Sequence, residues 1–353
     1  MHAMNKARIG IFGASGYAGM ELTRLCAGHG QLELVFLASE RHVGQPVEAL
    51  TGVSSGAPAA YVDFATARAA AEGCAVVFLA TPAEVSLQVG AELIAAGVRV
   101  IDLSGAFRLQ DAAAYQQFYA HAPASAALME KAVYGLPELF REQIASAQLL
   151  SNPGCYATAA TLALYPLLAK RLIHAEDLVI SALSGASGAG RKAAEDFSLV
   201  ELHDNVKAYR VLNHQHIPEI EQSLSRATGG KVSLTFTPHL LPIPRGILST
   251  AYARLTSARD PNALTAELRA AYAGEPFIRV LDRPEDVSLH GVVGTNQCHL
   301  GVTCHPQDGG RVVVVSAIDN LVKGAAGQAL QNLNLMLGHP QQTGLASLRR
   351  FHP

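Results

Sequence analysis

The apolar positions of this chain follow two rhythms, and the change falls near residue 155. Before it, short unbroken apolar runs alternate with stretches of helical spacing. Ala7–Phe12, Leu32–Ala38, Ala75–Ala80 and Val98–Leu103 read as buried strands, and Tyr17–Ala27 and Glu84–Ala96 as helices. Strands alternating with helices predict a parallel sheet covered on both faces. After it, Leu178–Leu183, Val232–Pro238, Ile247–Leu255, Val292–Thr303 and Arg311–Ala317 read as strands. The last three are long and separated by turn signals, the pattern of an antiparallel sheet. From Asn320 to about Leu337 the apolar residues return at helical spacing. The expectation is an α/β nucleotide domain over 1–154, an α+β domain with a mainly antiparallel sheet over 155–319, and a C-terminal helix within 320–353 that completes the first.

Composition narrows the function classes. The chain has 353 residues, 49% hydrophobic and 16% charged, with a net charge of -2. That is enough apolar material for two cored domains, and no basic surplus points to nucleic acid. No apolar run is long enough for a bilayer span, so no membrane partner is expected. Five dispersed cysteines (Cys26, Cys74, Cys155, Cys298, Cys304) lack metal-ligand spacing and argue against a disulfide framework. The N-terminus does not read as a signal peptide, and the expected location is cytoplasmic.

Three segments carry candidate chemistry. The first is Gly13-Ala14-Ser15-Gly16-Tyr17-Ala18-Gly19, a G-x-x-G-x-x-G turn between the first strand and first helix. Glycines there permit a tight turn and let a pyrophosphate approach the helix start. Gly13, Ser15, Gly16, Tyr17 and Gly19 are the candidate contacts. At the end of the second strand, Ser39 and Arg41 suit the 2′-phosphate of NADP, whereas Glu40 would suit the 2′-hydroxyl of NAD. The second segment is Ser151-Asn152-Pro153-Gly154-Cys155-Tyr156, which leads into a long apolar helix. A thiol at a helix start is biased toward thiolate, and nearby N–H groups can hold an oxyanion. A buried structural cysteine is the competing reading. The third is Asn213-His214-Gln215-His216-Ile217-Pro218-Glu219. A Cys–His pair distant in sequence is the expected form of an activated thiol. A helix beginning at Pro218 would let Glu219 orient His216. The two histidines have no further cluster to complete a metal site, so no metal is expected. Ser184–Arg191 forms a second glycine-rich loop, and Arg108 follows a strand carboxyl end, where ligands bind in open α/β sheets.

Taken together, these segments resemble the N-acetyl-gamma-glutamyl-phosphate reductase family of arginine biosynthesis. The matching stretches are GASGYAG (13–19), DLSGAFR (102–108), YGLPE (134–138), NPGCY (152–156), SGASGAGR (184–191), HQHIPE (214–219), PHLLPIPRG (238–246) and DNLVKGAAGQALQN (319–332). The resemblance implies a Rossmann-type domain joined to a semialdehyde dehydrogenase-like domain, in a homodimer or homotetramer. It implies NADPH-dependent reduction of an acyl phosphate to a semialdehyde. By position it makes Cys155 the nucleophile, His216 the acid/base and Glu219 its support. Arg108 and His214 fall on positions of substrate-anion ligands, and Ser187, Gly188 and Asn320 on cofactor contacts. Gln215 and Gly105-Ala106 depart from the family's usual residues. The nearest alternative is another acyl-phosphate reductase such as aspartate-semialdehyde dehydrogenase, which shares the loop and thiol, and a lysine-pathway relative with a carrier-protein substrate is a further one. A cysteine hydrolase would need no nucleotide turn, and a non-catalytic nucleotide sensor no reactive thiol.

Overall fold

The computed structural model describes residues 6–119, 122–191, 195, 198–305 and 310–346. The chain forms two compact units. One runs through Pro153 and resumes at Ala325, and the other is Gly154–Gly324.

The first unit is built on a six-stranded sheet of β1 (Ala7–Phe12), β2 (Leu32–Ala38), β3 (Val76–Leu79), β4 (Arg99–Asp102), β5 (Ala132–Tyr134) and β6 (Leu149–Ser151). Every pairing is parallel, in the order β2-β1-β3-β4-β6-β5. Ile9, Ile11, Phe12, Val76–Leu79, Val100 and Ile101 are fully buried. A parallel sheet covered on both faces has no wet side, which is why its strands read as apolar runs without alternation. The strand order reverses between β1 and β3, so a crevice opens at the carboxyl ends of those two strands.

The second unit holds β7 (Leu178–Gly185), β8 (Lys207–Ala208), β9 (Leu234–Leu241), β10 (Ile247–Arg254), β11 (Ile278–Val280), β12 (Cys298–Cys304) and β13 (Arg311–Ile318), in the order β11-β12-β13-β10-β7-β9-β8. The centre, β12-β13-β10-β7, is antiparallel; the β11–β12 and β7–β9 pairs are parallel. In β10 buried positions alternate with more open ones, because one face packs on helices.

Several expected boundaries shift, each for a local reason. The strand expected from Val292 begins at Cys298. Gly294 takes φ +81 and donates its N–H to the Asp319 carboxylate (2.7 Å), which makes 292–297 a turn. The helix expected from Pro218 begins at His216, with Pro218 in the tolerated first turn. The C-terminal helix is shorter than expected: a π-turn, Val322–Ala326, leads into Gly327–Met336. Gly338 (φ +72) and Pro340 then prevent its continuation, and 347–353 lie outside the described residues. The face of that helix is polar yet buried. Asn332 Nδ2 donates to Gly135 O (2.8 Å) and to Asn152 Oδ1 (3.1 Å), joining the 134–138 and 152–156 stretches to the C-terminal helix.

Candidate active site

In the second unit, the helix Cys155–Ala169 sets the position of the candidate thiol. Its residues are apolar on nearly every side, and almost all of them are buried. Such a helix is held by the core rather than by a polar face. Gly154 is its N-cap, with φ -69 and ψ 151, and Cys155 is the first helical residue, half-buried. The sulfur therefore sits at the positive end of the helix dipole.

His216 opens the helix His216–Thr228, and Glu219 lies one turn further on. Glu219 is fully buried. Its Oε1 accepts the Gly154 N–H at 2.8 Å, and its Oε2 is 3.9 Å from His216 Nε2. The carboxylate thus holds the turn just before Cys155 and also faces the imidazole. The ring packs hard on that turn: a Cβ on Gly154 would lie 2.3 Å from His216 Nε2. Any side chain at 154 would drive the imidazole away from the residue that precedes the sulfur.

His214 is buried, and its Nδ1 accepts the His216 backbone N–H at 3.1 Å. Nδ1 is then the acceptor nitrogen, so the neutral ring carries its proton on Nε2. Burial pushes its pKa down to about 2, helped by repulsion from His216 and Arg210. The His214 ring is a neutral donor at ordinary pH. Tyr156, His214, His216 and Phe236 form a set of edge-on ring contacts. The Tyr156 and Tyr209 hydroxyls are 3.0 Å apart, and burial pushes the Tyr209 phenol up to about 12. Gly154, Tyr209, Phe236 and Gly324 were absent from the sequence-based candidates. Gly154 and Gly324 lay inside matching stretches, 152–156 and 319–332, whereas Tyr209 and Phe236 carry no local signal.

The same unit brings Ser187, Gly188 and Asn320 together. Asn320 Nδ2 donates to Ser187 Oγ (2.9 Å), its Oδ1 accepts the Gly246 N–H (2.7 Å), and a Cβ on Gly188 would lie 3.7 Å from Nδ2. One buried amide therefore ties the 185–190 loop to the loop after β9.

In the first unit, the turn after β1 has the shape a dinucleotide needs. Gly13 takes φ +76, and a Cβ there would lie 2.3 Å from Ala80 O. A Cβ on Gly19 would lie 2.3 Å from Gly13 O, so two glycines let the helix Tyr17–Ala27 start against the strand end. Gly16 is the N-cap and Tyr17 the first helical residue. Ser15 Oγ and Ser39 Oγ are 2.7 Å apart, which joins the loop to the end of β2. A cradle that side chains would fill, opening on a helix start at the switch point of the sheet, fits a nicotinamide dinucleotide. Glu40 Oε1 accepts the Phe64 N–H at 2.8 Å, whereas Arg41 is exposed.

Arg108 is buried. Its Nε donates to Asn152 O (3.0 Å) and its Nη2 to Leu103 O (2.8 Å). Those two donors brace the backbone after β4 and before the cysteine. Asp102, fully buried, is raised above the usual carboxylate range by desolvation, against the opposing pull of Ser86, Ser104 and Arg108.

Comparison with known proteins defines the class. Residues 8–147 match the semialdehyde dehydrogenase NAD binding domain, and 155–320 match the semialdehyde dehydrogenase dimerisation domain. The chain is a semialdehyde dehydrogenase-type oxidoreductase with a nicotinamide-nucleotide domain. Its fold is similar to that of aspartate semialdehyde dehydrogenase II from Vibrio cholerae, with TM-score 0.75, 17% identity and coverage of 95% of this chain and 99% of that one. The NADP-bound aspartate semialdehyde dehydrogenase from Candida albicans is also similar (TM-score 0.68, 17% identity, 94% and 99% covered). In sequence it is 44% identical to N-acetyl-gamma-glutamyl-phosphate reductase of Symbiobacterium thermophilum, over 98% of this chain and 99% of the relative. It is likewise 44% identical to the protein of that name from Laribacter hongkongensis, over 96% and 97%. The chain belongs to the N-acetyl-gamma-glutamyl-phosphate reductase family.

Proposed function

We propose that this protein reduces N-acetyl-L-glutamyl 5-phosphate to N-acetyl-L-glutamate 5-semialdehyde and phosphate, with NADPH, through a thioester on Cys155. The observation that carries the reading is the Glu219 carboxylate, which bonds the Gly154 N–H while facing the His216 imidazole. One buried group thereby fixes the thiol turn and the candidate acid/base together.

In the reductive direction the Cys155 thiolate attacks the acyl carbon. The C–S bond forms, the bond from carbon to the phosphate oxygen breaks, and phosphate leaves. N–H groups at the helix start stabilise the tetrahedral oxyanion. When bound, the nicotinamide supplies the hydride that reduces the thioester carbon. His216 gives a proton to the resulting oxygen and takes it back as the C–S bond breaks, which releases the aldehyde and restores the thiolate. Such acid/base help is worth about 10²–10⁴-fold. His214, as a neutral Nε2–H donor, and Arg108 serve the substrate's anionic groups.

Four further features support details of this reading. Ser187, Gly188 and Asn320 form one bonded loop pair suited to the nicotinamide end of the cofactor. Glu40 spends an oxygen on the Phe64 N–H while Arg41 is exposed, which favours a 2′-phosphate over a ribose diol. The match to a dimerisation domain supports a homodimer or homotetramer, and the lack of any disulfide among the five cysteines supports a cytoplasmic location. The test is phosphate-dependent oxidation of N-acetylglutamate semialdehyde, run in parallel with NADP and NAD. Aspartate semialdehyde serves as the competing substrate. Faster turnover of aspartate semialdehyde would overturn the substrate assignment.

A further inference from the structure

We propose that the π-turn Val322–Ala326 is a positioning element for the Cys155 thiol, and that Gly324 is its point of contact. The inference rests on Cys155 being the nucleophile and adds the part of the fold that seats it.

A Cβ on Gly324 would lie 2.6 Å from Cys155 Cβ and 3.1 Å from Cys155 Cα. Gly324 is not among the residues with positive φ, so backbone freedom is not why glycine stands there. What position 324 requires is the absence of a side chain against the cysteine. π-turns are rare, and they concentrate at functional sites.

The turn is also anchored before it reaches the thiol. Asp319 is fully buried, and its Oδ1 accepts the N–H groups of Leu321 (2.8 Å) and Val322 (3.1 Å). Its Oδ2 accepts the Gly294 N–H (2.7 Å) and lies 3.7 Å from Arg245 Nη1. The Asp319 carbonyl accepts the Gly324 N–H itself at 2.9 Å. Lys323, between these bonds and the contact, has a fully buried side chain with Nζ 5.9 Å from the Phe277 ring centroid. A carboxylate that ties the start of the turn to the 294 turn, together with a buried lysine, leaves the turn little freedom to yield. An added methyl at 324 would move the cysteine instead.

The test is Gly324→Ala, read in two ways. Alkylation of Cys155 by iodoacetamide, without substrate or cofactor, is followed as a function of pH. Steady-state kinetics then separate kcat from KM. We expect the alkylation profile to move and slow, and kcat to fall about 10²-fold, the scale of a 1 Å misplacement, with KM for the cofactor within twofold. Gly301→Ala is the control, since its Cβ would meet Pro284 Cα at the same 2.6 Å. It should lower stability and leave the alkylation profile unchanged. If Gly324→Ala does not fold, Asp319→Asn, which weakens the anchor without adding volume, should shift the profile in the same direction. A wild-type alkylation profile and turnover within twofold in the folded variant would overturn the proposal. Because alkylation needs no substrate, it tests the positioning even if the assigned reaction is wrong.

Discussion

Removing the Glu219 carboxylate should damage stability and turnover by separable amounts. Its Oε1 takes the Gly154 N–H at 2.8 Å in a fully buried setting. Hydrogen bonds to charged groups are worth about 1.5–3 kcal/mol, and Glu219→Ala also leaves that N–H buried without its acceptor. A loss of at least about 2 kcal/mol follows, or roughly 4–8 °C in Tm for a unit of this size. Glu219→Gln keeps an oxygen acceptor for Gly154, so its stability cost should stay near about 1 kcal/mol. The two variants should converge in activity, because both remove the negative charge 3.9 Å from His216 Nε2. At an effective dielectric constant near 20, that charge attracts an imidazolium by up to about 4 kcal/mol. We expect kcat to fall at least about tenfold in both, within the range of acid/base contributions. Thermal melts and steady-state kinetics on both variants make the comparison. A Glu219→Gln enzyme with wild-type kcat would refute the claim that the carboxylate serves the imidazole. A Glu219→Ala protein with an unchanged Tm would refute its hold on the Gly154 turn.

Gly13→Ala should raise the dissociation constant of NADPH by at least about tenfold, measured by fluorescence titration, because the position combines φ +76 with a Cβ 2.3 Å from Ala80 O. Arg41→Ala should raise KM for NADPH roughly tenfold and leave KM for NADH unchanged; an equal effect on both would refute the assignment to the 2′-phosphate. Acid should destabilise the protein. The His214 pKa is about 2 in the folded chain against 6.5 unfolded, so the unfolded state binds the extra proton below pH 6.5 and stability falls as pH drops from there. By pH 5 His214 alone costs about 2 kcal/mol, and His29 and His299, also lowered by burial, act in the same direction. Urea midpoints at pH 7.5 and 5 measure this, and equal midpoints would contradict it.

The long elements were legible because their burial leaves a pattern. β1 to β4 sit in a two-sided parallel sheet, so each is an apolar run, and β10 and β13 are long enough to show. β5, β6, β8 and β11 have two or three residues each, too short for any periodicity. The segment before β12 misled because Val292 and Val293 are apolar, yet Gly294 takes a left-handed turn that Asp319 completes from across the unit. The glycine turn after β1 and the helix start at Cys155 were readable as motifs, since each lies in consecutive residues. The close approaches at Gly154 and Gly324 were not. Both are fixed by what lies against them, His216 Nε2 and Cys155 Cβ, and a sequence does not record an approach between distant residues. The tautomer of His214 was hidden for the same reason, since it depends on a backbone N–H two residues away that helix formation brings into reach.

The central claim is the acyl group on Cys155, and rapid-quench mass spectrometry of the enzyme mixed with N-acetylglutamyl phosphate in the absence of NADPH tests it directly. The account predicts release of phosphate and one N-acetylglutamyl adduct, mapped to the peptide holding Cys155 and absent in Cys155→Ser. Reduction of substrate at a normal rate by Cys155→Ser, or an adduct on another cysteine, would contradict it.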